Sequence, residues 1–266
     1  MRCLFFDCDC YRQDIVVHDL QHAGEAWEDK LARLRAALQE AGHGGMVVSE
    51  LDEINWLLNI RGEGSSHNEV RMRTLSSMSQ CPLLCLNVLY YVSMSSIRSQ
   101  CVTQGLYHSP TFQSLALVSH QEILLWLHMD KVTPELREHL GSEVEIRDVN
   151  TSLQDLAEWV SLHPELDSLL MSAPSSYLSG ATFALYSSVP ESLATLGDSP
   201  ILDMKAAKNP VEVAGMVEAH IRDAVAVCDW AAFMEHQIQD LGATNWTEIS
   251  GAELLSEFRS GETYYM

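Results

Sequence analysis

The chain contains 266 residues and carries a formal net charge of −21 at pH 7, because 37 acidic residues outnumber 16 basic ones. This length allows one or two domains with a buried core, and the charge argues against unaided binding to nucleic acid or an anionic membrane. The sequence shows neither an apolar run of the roughly 18 to 20 residues that span a bilayer nor a secretory leader pattern, so we predict a cytoplasmic protein.

The seven cysteines do not predict a disulfide framework, because their number is odd and no CxxC pair occurs. Cys8 and Cys10 could in principle hold a metal ion, but a single CxC without a second pair of ligands favours a frayed terminus. Cys228 lies in a periodic apolar segment, where a cysteine is typical of a small buried hydrophobic residue. We leave residues 1–15 unassigned.

The first structured part is predicted from the periodicity of apolar residues after residue 15. Leu31, Leu34 and Leu38 share one face of a helix that the following glycines end. The predicted elements are, in order, a strand at 15–20, a helix at 27–41, a buried strand at 46–49, a short amphipathic helix at 51–58 and a turn at 59–62.

The stretch 71–106 differs in character from the rest of the chain. It contains no Asp or Glu, while Arg71, Arg73 and Arg98 give it a charge of +3. Neither helical nor strand periodicity holds for long within it. We predict an insertion at 71–106, which is either translated non-coding sequence or a genuine lineage-specific loop. Sequencing the transcript across this stretch distinguishes the two.

Order returns after this stretch, and strands alternate with helices. The predicted elements are strands at 113–118 and 122–127 joined by a turn at 119–121, a helix at 131–140, a strand at 144–149, a helix at 151–162, a strand at 166–172, a helix at 175–186 and a loop at 196–200. This alternation predicts an α/β fold in which helices flank a mixed sheet.

Two capped helices are predicted near the end of the sequence. Asn209 is a favoured N-cap, with Pro210 at the first helical position and Glu212 at the third. An apolar face then recurs at three- and four-residue steps, which predicts burial of Val211, Ala214, Val217, Ile221, Ala224, Cys228 and Ala231. Ser250 and Glu253 are predicted to form a second capping box.

Several blocks in this sequence together carry a family resemblance. The blocks are Lys208-Asn209-Pro210-Val211-Glu212, Gly215-Met216, Ala219 to Ala226, Thr247-Glu248-Ile249-Ser250 and Glu257-Phe258-Arg259. They resemble the entry into the catalytic domain of Xaa-Pro aminopeptidases (aminopeptidase P), metallopeptidases with the pita-bread fold. The strand, helix and Arg61-Gly62 turn at 46–62 resemble the creatinase-N-like domain that precedes it. We therefore expect a creatinase-N-like domain over 16–200, and a linker and incomplete catalytic domain over 201–266.

The resemblance implies a hydrolase that releases the N-terminal residue before a proline, using two metal ions, usually manganese. Their ligands in the family are two aspartates, a histidine and two glutamates, downstream of the segment matching Glu257-Phe258-Arg259. Only Glu262 among such residues follows here. We therefore assign no catalytic, cofactor-binding or metal-binding residue, and expect an inactive fragment that binds no cofactor itself. The complete enzyme would act on peptides with proline in second position, and a homodimer is compatible with it.

The alternative hypothesis is a non-catalytic α/β module that serves protein interaction or regulation. If the chain is the enzyme fragment, helices cut from their domain are expected to expose apolar surface or to fold back onto the α/β domain. An unrelated acidic enzyme is a third hypothesis.

The histidines do not predict a metal site. His18 and His22 have the spacing of zinc-binding histidines on a helix, but Asp19 stands where a glutamate is required. We interpret them as surface residues. His120 and His128 flank a predicted strand and are interpreted as exposed turn residues, and His220 has no neighbouring carboxylate cluster.

Overall fold

A computed structural model of the chain describes residues 14–62, 110–175 and 180–261. The chain divides into two units, Met1–Lys208 and Asn209–Met266. The predicted insertion at 71–106 and the Cys8 and Cys10 pair lie outside the described residues. The predicted domain limits at 15/16 and 200/201 stay predictions.

The first unit contains eight short strands in the described residues. They are β1 (Ile15–Val17), β2 (Gly45–Val48), β3 (Ile60–Gly62), β4 (Leu115–Ser119), β5 (Ile123–Leu127), β6 (Val144–Asp148), β7 (Leu169–Ser172) and β8 (Ala194–Gly197). Six of them form a sheet in the order β6-β5-β4-β2-β7-β8, and β1 and β3 form a separate antiparallel pair. The strands β2, β7 and β8 run parallel, whereas β4 is antiparallel to both its neighbours. The sheet is therefore mixed, as predicted.

Helices flank both faces of this sheet. In the first unit they are α1 (Leu20–Ala23), α2 (Trp27–Ala41), α3 (Leu51–Leu58), α4 (Pro134–Leu140), α5 (Ser152–Leu162), α6 (Phe183–Tyr186) and α7 (Pro200–Ala206). One buried cluster lies between the sheet and α2, α3, α4 and α7, and a second lies between the sheet and α5 and α6. The predicted α/β fold is confirmed.

Local chemistry explains the limits of α2 and α3. Leu31, Leu34 and Leu38 are almost completely buried on one side of α2, and Gly42 ends the helix with φ of 77°. Glycine adopts this left-handed conformation without a steric penalty. Asn59 ends α3 in the same way with φ of 51°. The predicted bounds of both helices are confirmed.

Other elements of the first unit differ from the prediction. The predicted loop at 196–200 is wrong in part, because Ala194–Gly197 form strand β8 and α7 begins at Pro200. β8 is an edge strand whose central residues are exposed, so its sequence lacks an apolar run. The predicted helix at 175–186 is shorter among the described residues, where only α6 is helical. The predicted helix at 131–140 begins at Pro134, since Thr133 caps it.

The second unit is a pair of helices, α8 (Pro210–Glu235) and α9 (Glu248–Ser260), with a π-helical turn at His236–Asp240 after α8. The side chain of Asn209 accepts hydrogen bonds from the first-turn amides, and Glu212 accepts one from the Asn209 amide. This predicted cap is confirmed. Aromatic rings join the helices, because the centroids of the Phe233 ring of α8 and the Phe258 ring of α9 are 6.1 Å apart; Phe233 is also edge-on to Trp246, which precedes α9, at a centroid distance of 6.0 Å. Trp230 Nε1 donates to Gly251 O at 2.9 Å.

The second predicted capping box is wrong. Helix α9 begins three residues earlier than predicted, because Thr247 is its N-cap and exchanges hydrogen bonds with Ser250. The Thr247 hydroxyl accepts from the Ser250 amide at 3.1 Å, and the Ser250 hydroxyl accepts from the Thr247 amide at 3.0 Å. The extended backbone of Thr247 places its hydroxyl at the helix start, so Glu253 lies in the second turn of the helix.

We expect Thr247→Ala to destabilise α9 by about 1 kcal/mol, because the first-turn amides lose their side-chain acceptor. Hydrogen exchange of the amides at 249–252 should become about fivefold faster. Glu253→Ala is the matched control and should leave this exchange unchanged. If Glu253→Ala accelerated this exchange and Thr247→Ala did not, the result would favour the Ser250–Glu253 capping box that the sequence predicted.

The predicted buried face of α8 is also wrong. Val217 and Ile221 are 52% and 54% exposed, and Cys228 is exposed as well. Contacts with α9 use another side of α8, through Asp223, Trp230 and Phe233 in particular. We call the exposed, four-residue-spaced set of Val213, Val217, Ile221 and Val225 the α8 stripe. The expectation allowed either exposed apolar surface or folding back onto the α/β domain, and within the second unit the α8 stripe presents apolar surface.

None of the helices within the described ranges combines the length and apolar character that crossing a membrane would require.

Candidate functional site

Polar side chains collect where three parallel strands end. Ser49 and Glu50 follow β2, Ser172 is the last residue of β7, and Ser199 follows β8. Because β2, β7 and β8 are parallel, their carboxyl ends lie at one edge of the sheet. In open α/β sheets this edge is where ligands most often bind. This edge is therefore the strongest candidate for a ligand-binding or reactive site in the first unit.

The central group at this edge is the carboxyl of Glu53, in the first turn of α3. Its side chain is fully buried, and Oε2 accepts a hydrogen bond of 2.7 Å from Ser199 Oγ. Within the described part of the chain, Oε1 has no hydrogen-bond partner. The hydroxyls of Ser49 and Ser172 are likewise buried and unpaired there. A buried polar atom without a hydrogen-bond partner is unfavourable, so these three atoms lower the stability of the folded unit.

Burial raises the pKa of Glu53 to about 7 from an ordinary value of 4.5. The hydrogen bond from Ser199 acts against this shift, and so does the ammonium of Lys205. The nearby carboxyls of Asp52 and Glu50 raise the pKa further. A carboxyl with such a pKa exchanges its proton near neutrality, which is the range that acid–base chemistry needs.

The sign of the linkage follows from the direction of this shift. The folded state holds the Glu53 proton more tightly than the unfolded state does. The stabilisation from this proton is complete below pH 4.5 and is lost as the pH rises through about 7. Glu53 therefore favours folding in mild acid.

The other two carboxyls near this edge contact groups other than Glu53. Glu50 Oε1 accepts from the amide of Gly180 at 3.1 Å, and Asp52 forms an ion pair with Lys205. No group of three or more His, Cys, Asp or Glu side chains is placed to hold a metal ion within residues 14–62, 110–175 and 180–261. The carboxyls at this edge therefore do not fit a pair of metal ions.

His18 and His22 lie together, but no third potential metal ligand accompanies them in the described ranges. Their rings stack with a centroid distance of 5.9 Å. Burial lowers the pKa of His18, and the positive charges of Arg61 and Lys30 lower it further. His22 is exposed as interpreted, whereas His18 is partly buried.

Of the other histidines singled out in the sequence, His120 and His128 lie in the first unit and His220 lies in the second. His120 is exposed, and its Nε2 lies 3.1 Å from His43 O. His128 is half-buried beside Gln113, at 2.9 Å from Oε1. His220 is exposed on α8. The interpretation as exposed residues is thus confirmed for His120 and only partly for His128.

Sequence reasoning missed a buried lysine on α2. Lys30 is only 1% exposed, and its Nζ donates to Trp56 O at 2.9 Å and to Asn59 Oδ1 at 2.7 Å. The ammonium also lies 4.3 Å from the centre of the Trp56 ring. The sequence did contain one signal for its burial, because Lys30 lies on the same face of α2 as the apolar residues Trp27 and Leu34.

A shallow surface depression of about 500 Å³ lies beside α2. Arg35 lines it, and the Nε of this side chain donates to Ser119 O at 2.9 Å. Its other polar side chains are Glu28, Gln39, His120 and Glu143. Its open shape and exposed lining make it a weaker candidate than the buried Glu53 edge.

The sequence is similar to one domain family and to curated proteins of one kind. The sequence profile of the Creatinase/Prolidase N-terminal domain family matches residues 10–74 and 104–212. A probable Xaa-Pro aminopeptidase P of Aspergillus niger is 30% identical over 256 residues, covering 96% of this chain and 34% of its own. A probable Xaa-Pro aminopeptidase P of Talaromyces stipitatus is 29% identical, covering 93% of this chain and 31% of its own. The chain thus spans about a third of the length of these curated relatives.

Solved structures share the fold. The X-prolyl aminopeptidase of Caenorhabditis elegans, a cytosolic enzyme with a di-nuclear active site, matches 99% of this chain and 36% of its own, with a TM-score of 0.75 and 21% identity. An Xaa-Pro dipeptidase of Bacillus anthracis matches 88% of this chain and 49% of its own, with a TM-score of 0.52 and 15% identity. At such identities the likeness shows a common fold.

Proposed function

This chain belongs to the creatinase/prolidase N-terminal domain family, and from that premise we propose that it is part of an Xaa-Pro aminopeptidase. The proposed complete enzyme is a cytoplasmic hydrolase with two metal ions, manganese in our proposal, that releases the N-terminal residue preceding a proline. Its substrates would be peptides with proline in second position.

The observation that carries this proposal is the extent of the match to the relatives. The family profile ends at residue 212, early in α8. The similarity to the Aspergillus niger relative covers 256 residues, or 96% of the chain, so it includes most of α8 and α9. The resemblance therefore extends from the α/β unit into the helices that follow it, in the order that the proposed enzyme requires.

The α8 stripe supports the same proposal. Its four residues are between 46% and 54% exposed in this chain, although such a regular apolar row is typical of a helix face packed in a core. The relatives are about three times as long as this chain. We propose that further residues of a longer polypeptide cover this face and supply the metal ligands, and that the present chain has no peptidase activity by itself.

The decisive experiment compares this chain with the longer polypeptide. The transcript is sequenced beyond the codon for Met266, the longer reading frame is expressed, and both proteins are assayed on an Xaa-Pro peptide with added Mn²⁺. We expect turnover by the longer protein alone. Chelator-sensitive turnover by the 266-residue chain would contradict its proposed inactivity.

A second candidate is a non-catalytic module for interaction or regulation. The core of the first unit favours it, because buried clusters lie on both faces of its sheet among the described residues. A transcript that stops after Met266, with a stable 266-residue protein that captures one specific partner from cells, would support this alternative against the enzyme fragment.

A further inference from the structure

Helix α7, the last helix of the first unit, is joined to α3 by two polar contacts. Ser199 donates a hydrogen bond to the buried carboxyl of Glu53, and Lys205 forms an ion pair with Asp52. We propose that the α7–α3 junction around Glu53 is a proton-controlled latch: it stays closed while the buried carboxyl is protonated and opens more often when the carboxyl ionises, because a buried carboxylate is unfavourable even with the hydrogen bond from Ser199. This inference does not depend on the proposed peptidase function.

The position of Ser199 is the first argument for a latch. Ser199 is the N-cap residue of α7, where a serine hydroxyl usually accepts a hydrogen bond from a first-turn amide. No such side-chain bond is present, and the hydroxyl is directed to Glu53 Oε2 at 2.7 Å instead. The residue that begins α7 is therefore used to attach that helix to α3.

Apolar packing places the latch at the edge of the core. Ile201, two residues after Ser199, is fully buried in the same cluster as Ile54 and Leu57 of α3. Ser199 itself is 2% exposed. Movement of this part of α7 away from α3 would expose the carboxyl to water, which couples ionisation of Glu53 to opening of α7.

The surroundings of Glu53 decide which protonation state fits the closed form. Its Oε1 has no hydrogen-bond donor in the described residues, and therefore an ionised carboxylate would keep an unsatisfied charged oxygen in the core. The charged groups nearby are Asp52 and Glu50, which oppose ionisation, and Lys205, which favours it. Lys30 of the adjacent helix α2 is directed to Trp56 and Asn59.

The direction of the pH effect follows from the burial of Glu53, which outweighs the opposing effects of Ser199 and Lys205. The closed form retains the proton up to a pH of about 7, whereas an opened, hydrated carboxyl would lose it near 4.5. Opening of α7 should therefore become more frequent as the pH rises. Full hydration of Glu53 on opening would give a roughly 30-fold increase between pH 5.5 and 8.5.

The test measures opening of α7 directly in the full chain. Hydrogen exchange of the amides in 200–206 is followed by mass spectrometry at pH 5.5 and 8.5 and corrected for the intrinsic effect of pH. We expect exchange in the wild-type chain to accelerate by roughly 30-fold. Glu53→Gln, which keeps the shape but cannot ionise, should remove this dependence.

Asp203→Asn is the matched control, because it removes an exposed carboxyl of α7 itself that is not among the charged groups acting on Glu53. It should retain a pH dependence of similar size. Equal pH dependence in the wild-type chain and Glu53→Gln, or none in the wild-type chain, would overturn the proposal.

A second measurement keeps the test valid if Glu53→Gln does not fold. The carboxyl carbon of Glu53 in the wild-type chain is titrated by ¹³C NMR. We expect a midpoint near 7, in line with the environment of this group. A midpoint near its ordinary value of 4.5 would overturn the latch whatever the variants show.

Discussion

Replacing Trp126 with alanine is expected to lower the free energy of unfolding of the α/β unit by about 4 kcal/mol. Trp126 lies in β5 and is completely buried in the cluster that packs between the sheet and α5. Its Nε1 donates to Asp155 Oδ2 at 3.0 Å, so the ring also ties the sheet to that helix. The substitution would remove both the ring volume and this hydrogen bond. Urea denaturation followed by far-UV circular dichroism measures the loss.

Trp126→Phe separates the two contributions. It keeps an aromatic ring but removes the indole donor, and we expect a loss of about 2 kcal/mol. Phe183→Ala is the surface control, because Phe183 is 85% exposed, and it should change stability by less than about 0.5 kcal/mol. A loss below about 1 kcal/mol for Trp126→Ala would mean that this face of the sheet is not packed as described.

Replacing Lys30 with alanine should destabilise the same unit by about 3 kcal/mol. Its ammonium is the donor to Trp56 O and to Asn59 Oδ1, and the latter residue holds the left-handed turn after α3. Removing Lys30 would leave these acceptors without that donor and open a cavity beneath Trp56. The same urea measurement applies, and the fluorescence of the tryptophans should change with the transition.

Two variants make the role of Lys30 specific. Lys30→Met keeps most of the apolar stem and loses the ammonium, so we expect about 2 kcal/mol from the lost hydrogen bonds alone. Arg33→Ala is the control one helical turn away, where a side chain that is 46% exposed should contribute less than about 1 kcal/mol. If Lys30→Met were as stable as the wild-type chain, the buried ammonium would have no net stabilising role.

The extent of α2 and α3 and the cap of α8 were predictable because their causes are local. Gly42 and Asn59 end helices through backbone conformations that neighbouring residues do not need to enforce. Asn209 caps α8 by hydrogen bonds within four residues. The family resemblance was also visible in the sequence, because it depends on residue types at fixed positions along the chain.

Local signals were less decisive where two residues compete for one role. Thr247 and Ser250 are both favoured N-caps, and each precedes an apolar run. The extended backbone of Thr247 decides between them, because it places the hydroxyl 3.1 Å from the Ser250 amide. That backbone conformation cannot be read from the residue types alone.

The sequence alone therefore determined the family, the mixed α/β class and the helices with strong end signals. The tertiary structure decided which of these residues are buried. Glu53 and Lys30 look like surface charges in sequence, yet both are buried because α7 covers one and the turn after α3 covers the other. Val217 and Ile221 of α8 belong to the face that the sequence predicts to be buried, and both are exposed in this chain. Burial depends on what packs across a helix face, and residues distant in sequence determine that packing.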